Sequence, residues 1–177
     1  IRDRAKAVAA YVSVSGSLTS LDVGYNKIGK EAALSLVSIF KEKDQMQSVG
    51  LGGCDLGVDG AKAVAAYVSV SGSLTSLDLS QTKLCGLDMF GSGTYTAEGI
   101  KAVADALRVS VSLTSFFLSL NAIGAEGAAA IADALRVNGS LTSLNVGQNK
   151  IGDEGATAIV SALKENKACK LKELLIY

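Results

Sequence analysis

The stretch AKAVAAYVSVSGSLTSLD occurs twice without a change, at residues 5–22 and again at residues 61–78. The offset is 56 residues, and a related unit lies between the copies, so the underlying period is 28. Leu18, Met46, Leu74, Leu113 and Leu141 hold the same place in successive units, spaced 28, 28, 39 and 28 residues apart, and a sixth start at Leu171 runs on to Tyr177. Each unit divides in two. In the unit at residues 140–166, Leu141, Leu144 and Val146 set a strand-like pattern that closes on Asn149. After Ile151 and Gly152, the residues Ala156, Ile159, Val160 and Leu163 fall at i, i+3, i+4 and i+7, the apolar stripe of a helix. A strand that turns over into a helix cannot bury both apolar faces alone. It needs copies of itself on either side.

The runs LTSLNVGQN at residues 141–149 and MQSVGLGGC at residues 46–54 follow the spacing L-x-x-L-x-L-x-x-N/C. With a helix in each period, the chain resembles the leucine-rich repeats. A 28-residue period with an IGDEGA-type helix start is similar to the ribonuclease-inhibitor subtype. The resemblance covers nearly the whole chain and implies an α/β, right-handed solenoid. In that horseshoe a parallel β-sheet of five or six strands forms the concave face and α-helices form the convex face. The domain organisation is then a single array over residues 1–177: a partial repeat at 1–17, repeats starting near 18, 46, 74, 113 and 141, and a partial repeat at 171–177. Opening in a helix and ending in a strand, the chain reads as a piece of a longer array.

Composition narrows the function. Seventeen basic residues balance seventeen acidic ones, which gives no footing for a nucleic-acid partner or a membrane surface. The chain has no histidine, so the usual general base and the commonest metal ligand are missing. No apolar run is long enough to span a bilayer. Cys54, Cys85 and Cys169 are an odd number with no C-x-x-C pair, so free thiols in a reducing, cytoplasmic setting are expected rather than a disulfide framework or a metal site. No cofactor and no enzymatic activity are expected.

Two columns mimic sites. Asp3, Glu31, Asp59, Glu98, Glu126 and Glu154 stand at successive helix starts. Each offsets a helix dipole by about 0.3–1 kcal/mol, and neighbouring helices roughly 10 Å apart hold the acids too far from one another to share an ion. Asn26, Cys54, Thr82, Asn121 and Asn149 end the strands, where each can satisfy a buried backbone group. Cys54 in that column is a core residue with no base to activate it. The recurring Gly29, Gly57, Gly124 and Gly152 serve the turns and form no phosphate-binding loop.

Two departures from the pattern carry most of the functional information. Eleven extra residues, roughly Cys85 to Tyr95 (CGLDMFGSGTY), interrupt the third unit before the helix near Thr96. They hold Met89, Phe90 and Tyr95, and loops on a rigid scaffold often carry function. The bland reading is that Phe90 folds back over the helix ends. The second departure is SVSLTSFFLSL, where other units read SGSLTSLD or NGSLTSLN. Phe116 replaces an inward leucine, and Phe117 takes the outward place of Asp22, Asp78 and Asn145. Leu120 stands where Tyr25, Gln81 and Gln148 stand elsewhere. Around these points the concave surface reads as neutral and shallow, a ladder of serines among glycines.

The expected function is a protein–protein recognition module whose partner lies on the concave face or the insertion. Candidate contacts are Tyr25, Met89, Phe90, Tyr95, Phe117, Leu120, Leu175 and Tyr177. Phe117 as neutral drift in one copy is the plain alternative. A regulator of a small GTPase, resembling the Ran activator, is a rival, with Asn26, Lys27, Asn149 and Lys150 as its only polar rim. A structural spacer is another. Uncapped apolar ends, Val8 and Val12 at one and Leu174 and Ile176 at the other, point to self-association or a place in a larger assembly.

Overall fold

Alternation at period two puts Leu21, Val49, Leu77, Phe116, Leu144 and Leu174 on one face of six short strands, and the helix stripes supply what covers them. A computed structural model describes residues 2–26, 28–88 and 90–177, with side chains from Lys6 onward. Among the described residues the order is α1 (Arg2–Val14), β1 (Ser20–Asp22), α2 (Lys30–Glu42), β2 (Ser48–Gly50), α3 (Gly57–Val68) and β3 (Ser76–Asp78). It continues with α4 (Glu98–Val109), β4 (Ser115–Phe117), α5 (Gly124–Leu135), β5 (Ser143–Asn145), α6 (Gly152–Glu165) and β6 (Glu173–Leu175). All six strands pair in parallel in the order β1 to β6, with Ser20, Ser48, Ser76, Ser115 and Ser143 side by side. Each helix packs on the next helix and each strand on the next strand, so the molecule is an α/β solenoid.

The core runs between sheet and helices as one continuous cluster. Val23, Val49, Leu51, Leu77, Leu79, Phe116, Leu118, Leu144 and Val146 are buried as expected. Leu21 is only half-buried, because β1 is the edge strand of the sheet among the described residues. The stripes of α2 to α5 are buried throughout. At the ends they are covered only in part: Val12, expected to be open, is buried and so is Ile159, but Val8 and Ala9 on α1 and Ala156 and Leu163 on α6 are half-buried, and Val160 is exposed. Ala5 and the acid at Asp3 fall among the side chains outside the description.

The strand-end column is a buried hydrogen-bond ladder. Asn121 Nδ2 donates to the carbonyls of Leu79 (2.7 Å) and Leu118 (3.0 Å), while its Oδ1 accepts from Thr82 N (2.9 Å). Asn149 repeats the pattern toward Leu118 and Val146, and its Oδ1 accepts from Asn121 N at 2.7 Å. Thr82 and Cys54 make shorter versions, donating to Leu79 O and Val23 O. Asn26 departs from the column. It is exposed, being the first rung, and its amide reaches only Val23 and Gly24 of its own turn.

A second ladder, unforeseen in the sequence, lies at the other end of the strands, where each helix leads into the next strand. Asn138 Nδ2 donates to Leu107 O (2.8 Å), and Asn166 Nδ2 donates to Leu135 O and Asn138 O, both at 2.7 Å. Its signal was present as the column Ser71, Ser110, Asn138 and Asn166 in register with the repeat. The acids at the helix starts also do more than offset dipoles. Asp59 pairs with Lys30, Glu98 with Lys62 and Glu126 with Lys101, at 2.6–2.7 Å, each a lysine of the preceding repeat.

The insertion begins inside the core. Cys85 is fully buried, so the free loop starts at Gly86. From there Leu87 and Gly93 form an antiparallel bridge, and Asp88 closes the tip by accepting from Phe90 N (3.0 Å) and Ser92 N (2.8 Å). The result is a small hairpin standing off the third turn.

Candidate partner-binding surface

On each strand the first and third residues point away from the helices. The third positions form one row across the sheet, in register: Asp22, Gly50, Asp78, Phe117, Asn145, Leu175. Asp22, Asp78 and Glu173 are the charges among these outward strand positions, and no strand carries a base. The face is therefore acidic at several points rather than neutral. Phe117 is half-buried in the middle of the row, three residues before half-buried Leu120.

Just past the strands the backbone turns left-handed. Tyr25, Gln81, Leu120 and Gln148 have φ of 58, 55, 60 and 56°, with Gly53 at 66° in the same column. A left-handed backbone is ordinary for glycine and costs a branched apolar residue such as leucine about 1 kcal/mol or more. Leu120 occupies it anyway.

The two terminal tyrosines rest on bare backbone. The Tyr25 ring lies over Gly52 and Gly53, where a Cβ on Gly53 would come within 2.8 Å of Tyr25 Cδ1. Burial raises the Tyr25 phenol above its ordinary pKa, with Asp78 and then Asp22 adding to the shift. Tyr177 lies likewise over Gly147, whose added Cβ would sit 2.7 Å from the ring's Cζ. Leu175 stands on β6 two strands from Phe117, with Asn145 between them.

The insertion meets this face. A hollow of about 290 Å3 is lined by Gly53, Asp55, Gln81, Lys83, Asp88, Phe90 and Leu120. Phe90 does not fold back over the helix ends; it is 86% exposed and stands at the rim. Lys83 donates to Asp55 at 2.8 Å, and that bond leads the causes that raise the lysine's pKa. Tyr95 is placed differently from Phe90. Its hydroxyl donates to Ile123 O (2.9 Å) and its ring borders Gly124, so it ties the hairpin's end to the next turn. Met89 lies outside the described residues. The structure thus brings Phe90 and Leu120 together, sets Phe117 on the adjoining strand, and leaves Tyr25 and the Leu175–Tyr177 pair on either flank. The lining residues Asp55, Lys83 and Asp88 were not singled out from sequence, although Asp55, Lys83 and Lys150 recur in register at the second left-handed position.

Two of the three free thiols, Cys54 and Cys85, lie in the core. Burial pushes Cys54 up to about 11 and Cys85 up to about 12, so both stay protonated near neutral pH. Among the described residues no cluster of acids and thiols is arranged to hold a metal ion, and no helix is long and apolar enough to cross a membrane.

A parallel sheet backed by helices at a 28-residue period, with asparagines laddered through its turns, is the architecture of leucine-rich repeats. A family model described as "Leucine Rich repeat" matches it at residues 15–37, 109–132 and 137–160. Among curated proteins none matches the sequence. Among solved structures it is similar to the actin-binding site 2 domain of leiomodin-1, at 20% identity and a TM-score of 0.69 over 94% of this chain and 89% of that one. It is similar also to the tropomodulin C-terminal domain from Caenorhabditis elegans, at 17% identity and a TM-score of 0.69 over 92% of each chain. At such identities the likeness is one of fold.

Proposed function

We propose that the chain is a non-catalytic protein-recognition module whose partner seats on the open sheet face, anchored at Phe117, Leu120 and Phe90. The observation that carries this reading is the hollow where Phe90 and Leu120 converge. Two apolar side chains from segments about 30 residues apart line one hollow beside the sheet, next to a phenylalanine that replaces the aspartate or asparagine of sister strands. Aromatic anchors ringed by polar groups are the usual form of a binding hot spot. Tyr25 and Tyr177 extend the surface toward both ends, and Asp22 and Asp78 favour a partner segment that carries basic side chains. Three cysteines left as free thiols suit a reducing interior, which supports a location inside the cell.

Actin is the first partner to test, since one protein of the same fold is described as an actin-binding site. Labelled monomeric actin is titrated with the native chain and with Phe117→Asp, Phe90→Ser and the helix-face control Lys164→Ala. Saturable binding weakened at least tenfold by the first two variants, and unchanged by the control, is the expected result. A photo-crosslinking residue at position 90 or 117 should also capture the partner in cell extract, while one at position 164 should not. Equal capture from all three positions defeats the assignment of the surface, and no capture from any favours a spacer. Of the rim named for the GTPase reading, Asn149 is fully buried with its amide committed to backbone carbonyls, Asn26 is exposed with its amide held by its own turn, and Lys27 lies outside the described residues.

A further inference from the structure

The turns that lead from helix to strand repeat with the array, and one of them already holds a carboxylate. Asp44, in the turn before β2, reaches the turn before β3. There its oxygens accept from Ser71 Oγ (2.7 Å), Ser73 Oγ (3.0 Å) and Gly72 N (3.2 Å). These bonds, the one from Ser71 foremost, hold the Asp44 carboxyl below its usual range.

Two repeats further on the same pair of turns recurs without the acid. Val111 stands where Asp44 stands, and Gly139 and Ser140 stand where Gly72 and Ser73 stand. Gly139 N donates to no protein group among the described residues. Val111 is 84% exposed, so it fills no part of the core, although sister turns carry glycine at Gly16, Gly72 and Gly139. Between the two turns lies a hollow of about 480 Å3, whose lining includes Arg108, Val111, Val137, Asn138, Gly139 and Lys170. Arg108 and Lys170 are the charges in that lining, and neither makes an ion pair among the described residues. Arg136, next to exposed Val137, is by contrast already paired with Glu165 at 2.6 Å.

We infer that this hollow seats an acidic residue of a partner protein's segment, its carboxylate on Gly139 N between Arg108 and Lys170, as Asp44 sits on Gly72 N. An apolar side chain beside the acid rests on Val111 and Val137. Charge selects the occupant, since the lining offers two cations and no carboxylate. A flat anionic membrane fits less well. Arg108 also borders Asp105 and Asp133 on the helix side, and a broad negative surface would meet those acids as well. The hollow lies before the strands, whereas Leu120 and Phe90 lie beyond them, so the site is independent of the sheet-face reading.

A random-peptide display library tests this. It is first depleted on the immobilised Val111→Gly/Arg108→Ala/Lys170→Ala chain and then selected on the native chain. All three positions are exposed, so far-ultraviolet circular dichroism of the variant should stay native. The recovered peptides should carry Asp or Glu next to a large apolar residue. By fluorescence anisotropy, labelled copies should bind the native chain about tenfold or more tighter than the triple variant. Val111→Gly and Arg108→Ala should each give part of that loss. In NMR spectra the same peptides should shift the Gly139 amide. Recovery of no peptide, of basic peptides, or of peptides indifferent to both single variants overturns the inference. So does co-sedimentation of the native chain, but not of Val111→Gly, with phosphatidylserine vesicles, which would make the surface one for lipid.

Discussion

At the scale of single residues, Asn121 and Leu120 stand next to each other and do opposite things. Asn121 is fully buried and satisfies carbonyls of two successive strands as well as a backbone N–H of the preceding turn. Each buried polar group left without its partner costs about 1–3 kcal/mol. Asn121→Ala orphans the N–H groups of Thr82 and Leu84, while Leu79 O keeps the Thr82 hydroxyl and Leu118 O keeps the Asn149 amide, so chemical denaturation should show a loss of roughly 2 kcal/mol or more. Leu120 holds a left-handed backbone that asparagine adopts more readily. Leu120→Asn should leave stability unchanged or raise it by up to about 1 kcal/mol, while weakening partner binding. A fall in both would mean that Leu120 is there to pack rather than to bind.

At the scale of elements, the sheet–helix core and the outer charge pairs contribute very unequally. Leu144 sits at the centre of β5 with no exposure, and Leu144→Ala should cost about 2–5 kcal/mol from lost transfer energy and the cavity left behind. The pair Lys101–Glu126 has a short 2.6 Å contact, but both side chains are more than half exposed. Lys101→Ala should therefore shift the denaturation midpoint by less than about 1 kcal/mol equivalent. Finding the two losses comparable would overturn the division of stability argued here. The hairpin of the insertion is a third kind of element, held by the Asp88 carboxylate and one bridge, and joined to the array through Tyr95.

At the scale of the whole molecule, a solenoid is a line of neighbours, and stability along it is a sum of units and joints. The end units each have one joint and the inner units two. Hydrogen exchange followed by NMR, at concentrations where the chain is monomeric, should show amides of α1 exchanging at least tenfold faster than those of α3. The comparison is unusually clean, because Ala5–Val12 and Ala61–Val68 are the same residues. Equal protection would mean that the array unfolds only as one block.

The resemblance to leucine-rich repeats implied the parallel order, while the period, the inward row from Leu21 to Leu174 and the turn asparagines were legible in the residues themselves. Each is set by local backbone geometry, two residues per strand repeat and 3.6 per helical turn, and the 28-residue echo fixes the register between units. The sequence also placed Phe117 outward and Phe116 inward, since one strand decides that alone. What it did not decide was anything depending on which surfaces meet. The lysine of one repeat finds the acid of the next, Phe90 of the insertion and Leu120 line one hollow, and Tyr95 is tied down while Phe90 is not. Tyr11 and Tyr67 make the point most directly: eighteen identical residues give one exposed ring and one buried ring. Pattern determines which side of an element is apolar. Burial belongs to the pair of elements, and only the tertiary structure supplies the second member.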